Sequence, residues 1–370
     1  MSMKSRVILG VFALTLAASF AFAADMTEGL TSTGRATLKS ATALAFGPDG
    51  VLFIGDPADA SILAVDTGDR AAGKAAGINV TGFSEKVAAM LGTTPDKLLF
   101  NGMVVNPVSH KAYIAVSRGR GADSQPVILR VDTTGKIEEL SLDSVKYSHV
   151  SLSDAPADST DQRGQNARLQ AITEIAYVDG RVFVAGLSNE EFSSKLRAIP
   201  FPFAQPTSQP GKGTSVEIFH GSHGRFETNA PVRTFVSYNI KGQQNILAAY
   251  TCTPLVAFPV SDLQPGAKVM GKTIAELGAG NSPLDMIVYQ QDGKNFILLN
   301  NSRRGVMKIT ADGLDTYKPI TAQTEITGVP YTTIDSLKGV QHLDKYDDRN
   351  ALLLVKAENG SVDLKTVALP

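Results

Sequence analysis

"ATALAFGPDGVLFIGDPADASILAVDT", residues 41–67, decides the fold. Three short apolar runs are separated by a Pro-Asp-Gly turn and by a polar stretch, so the chain doubles back twice. Runs rich in Val, Ile, Leu and Phe, bounded by turn residues, read as an antiparallel meander. The pattern returns over 101–142, over 172–201 with a later strand at 215–220, and over 233–260, 282–310 and 340–369. Six such meanders arranged radially predict an all-β fold, a β-propeller of six blades. Seven blades are also compatible with the long linking segments. The last copy runs out of chain after its third strand, whereas "TGRATLK" (33–39) is a spare strand. An N-terminal strand joining the last blade would close the ring and cover an exposed edge. Among the linkers, "GFSEKVAAMLG" (82–92) reads as a short helix with Ser84 as its N-cap.

The phrases "ALAFGPDGVLFIGD" (43–56) and "EIAYVDGRVFVAG" (174–186) resemble the blades of NHL, SMP-30/gluconolactonase and YVTN-like repeat proteins. The resemblance spans nearly all of the chain after residue 23, is one of fold, and is shared by enzymes and binding proteins. It implies strands A to D in each blade, counted from the central channel outward. The D-to-A connections and B-to-C turns then open on one face, and the remaining turns on the other.

Lys4 and Arg6 precede "VILGVFALTLAASFAFA" (7–23), which ends in the small-x-small pattern Ala21-Phe22-Ala23. This predicts a signal peptide over 1–23, cut before Ala24, and a periplasmic or secreted propeller domain over 24–370. No later stretch approaches the ~20 apolar residues of a membrane span. Net charge is −1 with both signs well mixed, which gives no basic stripe for nucleic acid. Cys252 is the only cysteine, so no intrachain disulfide is available to this exported chain. A monomer with a small ligand or a periplasmic protein as partner is the expectation.

The face map places His149, His220, His223 and His342 with Cys252 on the loop-rich face, and His110 alone on the other. Two imidazoles and a thiolate from "IFHGSHGRF" (218–226) and Cys252 form a donor set for copper or zinc, which His149 or His342 could complete. A second constellation, Asn101, Glu174 and Asp285, begins three different A strands and offers oxygen ligands to calcium at the channel mouth. It is similar in type to the metal mouth of SMP-30-like lactonases, where an ion polarises a lactone carbonyl. Asp154, Asp158 and Asp161 share one loop without the EF-hand spacing.

"GAKVMGKT" (266–273) matches the phosphate-loop pattern, but Gln264-Pro265 precedes it and only "TIAELGAG" follows, so no nucleotide is expected. "HGSHG" lacks the first glycine of a nucleophile elbow, and Ser222–His223 has no evident orienting carboxylate in the sequence. The expectation is a non-catalytic binding protein whose loop-rich face holds a ligand, metal ion or partner. A metal-dependent hydrolase of the lactonase type is the alternative.

Overall fold

Every apolar run of the repeat forms a strand in the computed structural model, which describes residues 25–203 and 212–370. The expected signal peptide, residues 1–23, lies outside the described residues. Six sheets result, antiparallel apart from a short parallel pairing of Lys268–Met270 with Ser215–Glu217. Their innermost strands are Leu44–Phe46, Leu98–Val105, Glu174–Val178, Val232–Ile240, Pro283–Gln291 and Val340–Lys345, for blades I to VI in chain order. Each packs against two others, which closes a six-membered ring. The protein is a six-bladed β-propeller.

The ring is held by one apolar cluster in each gap between blades. Alternate residues of a second strand serve the two neighbouring gaps, because successive side chains of a strand point to opposite faces. In blade I, Val51 and Phe53 pack against blade III, whereas Leu52 and Ile54 pack against blade II. In blade VI, Leu352 and Leu354 face blade II, and Ala351, Leu353 and Val355 face blade V. This explains why these strands read as unbroken apolar runs: both faces are buried. Each fully buried Leu, Ile or Phe contributes about 1.5–3 kcal/mol.

The same clusters give the order of blades around the axis as II, I, III, IV, V, VI, so blades I and II are transposed relative to the chain. After its third strand, Ser61–Asp66, blade I sends the chain to Asn79–Val80, which pairs with the final strand Val362–Ala368. The helix Phe83–Leu91 and blade II follow, and Val145–Ser151 then returns as the fourth strand of blade I. An upstream strand thus completes the last blade, as expected, but it is Asn79–Val80. Of the segment at 33–39 only Thr33 and Gly34 are in a strand, Ser32–Gly34, which lies at the edge of blade I against Val145–Tyr147. Gly34 lies only ten residues before Leu44 of blade I, too short a tether to reach blade VI on the far side of blade II.

The helix starts at Phe83 with Gly82, φ 63°, at its N-cap and no side-chain cap. The Ser84 hydroxyl, expected as the cap, donates instead to Glu85 and accepts from the Val362 amide, tying the helix to the last blade.

Candidate metal centre on the rim

Blade III ends its fourth strand, Thr214–His220, with the histidine at the loop-rich face. A turn over Gly221–His223 and a left-handed Gly224, φ 65°, send the chain back as Arg225–Glu227, with His220 opposite Arg225 and Ile218 opposite Glu227. Gly221 has no room for a side chain: a Cβ there would stand 2.8 Å from Cγ of Glu276. Its amide donates to Glu276 Oε1 at 2.5 Å, and its carbonyl accepts from the Thr324 amide at 2.9 Å. The turn that carries both histidines is therefore fixed from two sides.

Cys252 lies in the turn between the second and third strands of blade IV, Gln243–Tyr250 and Pro254–Pro259. Cys252 and Thr253 are both left-handed, with φ 61° and 58°. Each such residue other than glycine costs about 1–2 kcal/mol. Three hydrogen bonds hold the conformation. The Cys252 amide donates to Asn281 O at 2.7 Å, the Thr253 amide to Tyr250 O at 2.8 Å, and the Thr253 hydroxyl to Gly278 O at 2.8 Å. Backbone strain maintained in this way recurs where a side chain must be aimed.

The side chain so aimed meets the histidines. One donor atom each from His220, His223 and Cys252 lies within 4.8 Å of the others. The two rings stand with centroids 3.9 Å apart. Glu227 accepts from Nδ1 of His220 at 2.7 Å and from Nδ1 of His223 at 2.6 Å, one ring to each carboxylate oxygen. With the proton on Nδ1, the Nε2 lone pair of each ring is left for a ligand. Nε2 of His220 is buried and has no hydrogen-bond partner among the described residues. Burial lowers the His220 pKa, and the Glu227 carboxylate offsets only part of this, which favours the neutral ring. Burial works to raise the Glu227 carboxyl, but the hydrogen bonds from His220 and His223 overcome it and hold the group below its ordinary range. Glu276, beneath the turn, is pushed by burial up to about 7, and its Oε2 is buried without a partner among the described residues.

The other two histidines expected here are elsewhere. His149 lies on the strand Val145–Ser151 of blade I, opposite Leu63, and is exposed. The stretch around it supplies the fourth strand of blade I, so His149 does not stand with the rim histidines. His342 lies on the channel wall, with Nδ1 3.2 Å from Asp285 Oδ1 and Nε2 3.0 Å from the Phe100 carbonyl. Both ring nitrogens face acceptors, which leaves neither for a rim metal.

Asn101, Glu174 and Asp285 line the axial channel, a cavity of about 550 Å³, together with His342 and Asp344. All have protein partners. Asn101 donates to Ala41 O at 3.0 Å, Glu174 accepts from the Thr234 hydroxyl at 3.0 Å, and Asp285 accepts from the Leu343 amide at 3.2 Å. Each of these bonds ties one blade to the next. Burial, with Asp285 nearby, pushes Glu174 up to about 8, and burial pushes Asp344 up to about 7. For His342 burial lowers the pKa, but Asp285 and the Phe100 carbonyl more than reverse it.

The acidic loop is also dispersed. Asp154 accepts from buried Arg197 at 2.8 Å, Asp158 from Asn166 at 2.7 Å, and Asp161 from its own turn at Arg163 and Gln165. Within "GAKVMGKT", Lys272 begins the strand Lys272–Leu277, so the helix that would cradle phosphate is replaced by a strand. Sequence reasoning missed Glu227 and Glu276. The first is four residues beyond His223 across a tight turn, a spacing that would have flagged it. The second comes from blade IV, and no local pattern points to it.

No family model matches the chain, and no curated protein is significantly similar to it. Among solved structures it is similar to the PQQ-bound aldose sugar dehydrogenase of Streptomyces coelicolor. Identity is 13%, covering 92% of this chain and 97% of that one, with a TM-score of 0.40. It is also similar to a Thermus thermophilus oxidoreductase described as a glucose dehydrogenase, at 12% identity over 91% and 99% of the two chains, TM-score 0.37. The WD40 propeller domain of Doa1 gives 8% identity over 91% and 96%, TM-score 0.30. At this distance no chemistry passes from those proteins to this one.

Proposed function

We propose that this protein is an exported propeller whose loop-rich rim binds one transition-metal ion, copper or zinc, through His220, His223 and Cys252. The observation that carries this reading is the shared carboxylate of Glu227. It sets both imidazoles in the tautomer that ligates through Nε2, beside the only thiol of the chain. A buried polar atom with no partner costs about 1–3 kcal/mol, and a metal ion at Nε2 of His220 would remove that cost. A carboxylate accepting from the far nitrogen of a metal-bound histidine is the usual outer support of such a ligand. The metal would also occupy a thiol that an oxidising compartment would otherwise attack. Elemental analysis of protein purified without a metal-affinity step is the test: about one ion per chain, lost in Cys252→Ser, supports the reading, and no bound ion in wild type removes it.

A second reading is favoured by the meeting of Asn101, Glu174 and Asp285 in one channel. It is a calcium-dependent hydrolase of the lactonase type. Its three groups are already joined to neighbouring blades, so an ion there would have to displace existing hydrogen bonds. Lactone hydrolysis abolished by a calcium chelator and by Asp285→Ala would favour it over the rim site.

A further inference from the structure

The rim centre has a donor set that selects among metals. Among the described residues, no fourth His, Cys, Asp or Glu joins the group of three donors. Structural zinc sites close with four protein ligands, whereas two imidazoles and one thiolate in a three-donor arrangement form the set used by copper in electron-transfer sites. The donors are also held independently of any ion. Cys252 is locked by its left-handed turn, the two rings by Glu227, and the turn between them by Glu276 and Thr324. A cage fixed by its own hydrogen bonds does not rearrange when the ion inside it changes charge, which lowers the cost of moving an electron. His220 is 2% exposed and Cys252 is half-buried, while the His223 side chain, 41% exposed, is the most open of the three donors.

Resting on the metal-binding reading above, we propose that the ion is copper and that the centre is a one-electron carrier. A reduced one-electron carrier protein docking over His223 gives up one electron and is oxidised; Cu(II) takes it and becomes Cu(I). The same electron leaves to an oxidised acceptor by the same histidine. The bonds from copper to His220, His223 and Cys252 persist through the cycle, and no proton or atom is transferred.

The test uses metal-free protein titrated with Cu(II) under argon, followed by absorption and electron paramagnetic resonance. One equivalent should bind, with an intense visible thiolate-to-copper charge-transfer band. Ascorbate should bleach the band with one electron per copper, and ferricyanide should restore it over repeated cycles. The band should be lost in Cys252→Ser and retained in His149→Ala, whose side chain is on another blade. Bound copper without the band, or a thiol consumed in the first cycle, would overturn the redox assignment and leave metal binding standing. Failure to bind copper here and zinc in a parallel titration would remove both. Thermal unfolding of each variant beside wild type separates loss of the site from loss of the fold.

Discussion

The imidazoles of His220 and His223 stand with ring centroids 3.9 Å apart and planes inclined by 37°. Two imidazoles this close repel each other if both are protonated, and a single carboxylate cannot neutralise both. The pair is therefore stable with at least one ring neutral, and the free nitrogens of such a pair invite a cation.

Glu227 acts on the metal through the histidines. Glu227→Gln removes the charge that polarises both rings while keeping an oxygen acceptor. Metal affinity should fall about 10–100-fold, the usual cost of losing such an outer partner. Competition against a chelator of known affinity measures this, and an unchanged affinity would place Glu227 in a purely structural role.

Cys252 sits in a backbone conformation that suits glycine. Cys252→Gly should relieve strain and stabilise the metal-free protein by about 1 kcal/mol, while abolishing metal binding. Stability gained where function is lost is the signature of a strained binding residue. A destabilised variant would mean that the thiol is held there for packing.

Stability should fall toward alkaline pH. Glu174 is pushed up to about 8, Asp344 and Glu276 up to about 7, and the His342 pKa is raised. Each group holds its proton more tightly in the folded chain than in the unfolded one. Stability is therefore lost as pH climbs from the ordinary pKa of each group through its folded value. His220, with a lowered pKa, works in the opposite direction only below its ordinary pKa of 6.5. The unfolding midpoint should drop by roughly 5 °C between pH 6 and pH 9, and Glu174→Gln should recover part of the drop. A midpoint that rises over this interval would contradict the assignment.

Much of this was legible in the sequence, and the limits follow from chain geometry. The second strands lie where the repeat of apolar runs put them, because a strand buried on both faces carries its own signal, as in "VLFIGD" of blade I, and each inner strand precedes its second strand in the same run. The transposition of blades I and II was not legible. It depends on Asn79–Val80, a two-residue strand whose partner is at the far end of the chain. At the rim, the face map brought His220, His223 and Cys252 together. It failed for His149, which belongs to a strand borrowed by blade I, and for His342, whose ring turns into the channel. Neither distinction is encoded locally, since both depend on which blade lies next to which.

Arg197 is buried without exposure and donates to Asp154 at 2.8 Å and 3.1 Å. This pair fastens the acidic loop to blade III. Arg197→Leu strands a buried carboxylate and should destabilise the protein by about 3–5 kcal/mol. Adding Asp154→Leu should restore part of the loss, as a double-mutant cycle by chemical denaturation would record; strict additivity would mean that the pair is not coupled.

The most direct check is elemental analysis of the metal content of wild type, Cys252→Ser and His149→Ala, each purified without a metal column. About one copper or zinc ion per chain should be found in wild type and His149→Ala, and none in Cys252→Ser. Equal metal in all three proteins, or none in any, would contradict metal binding at the rim.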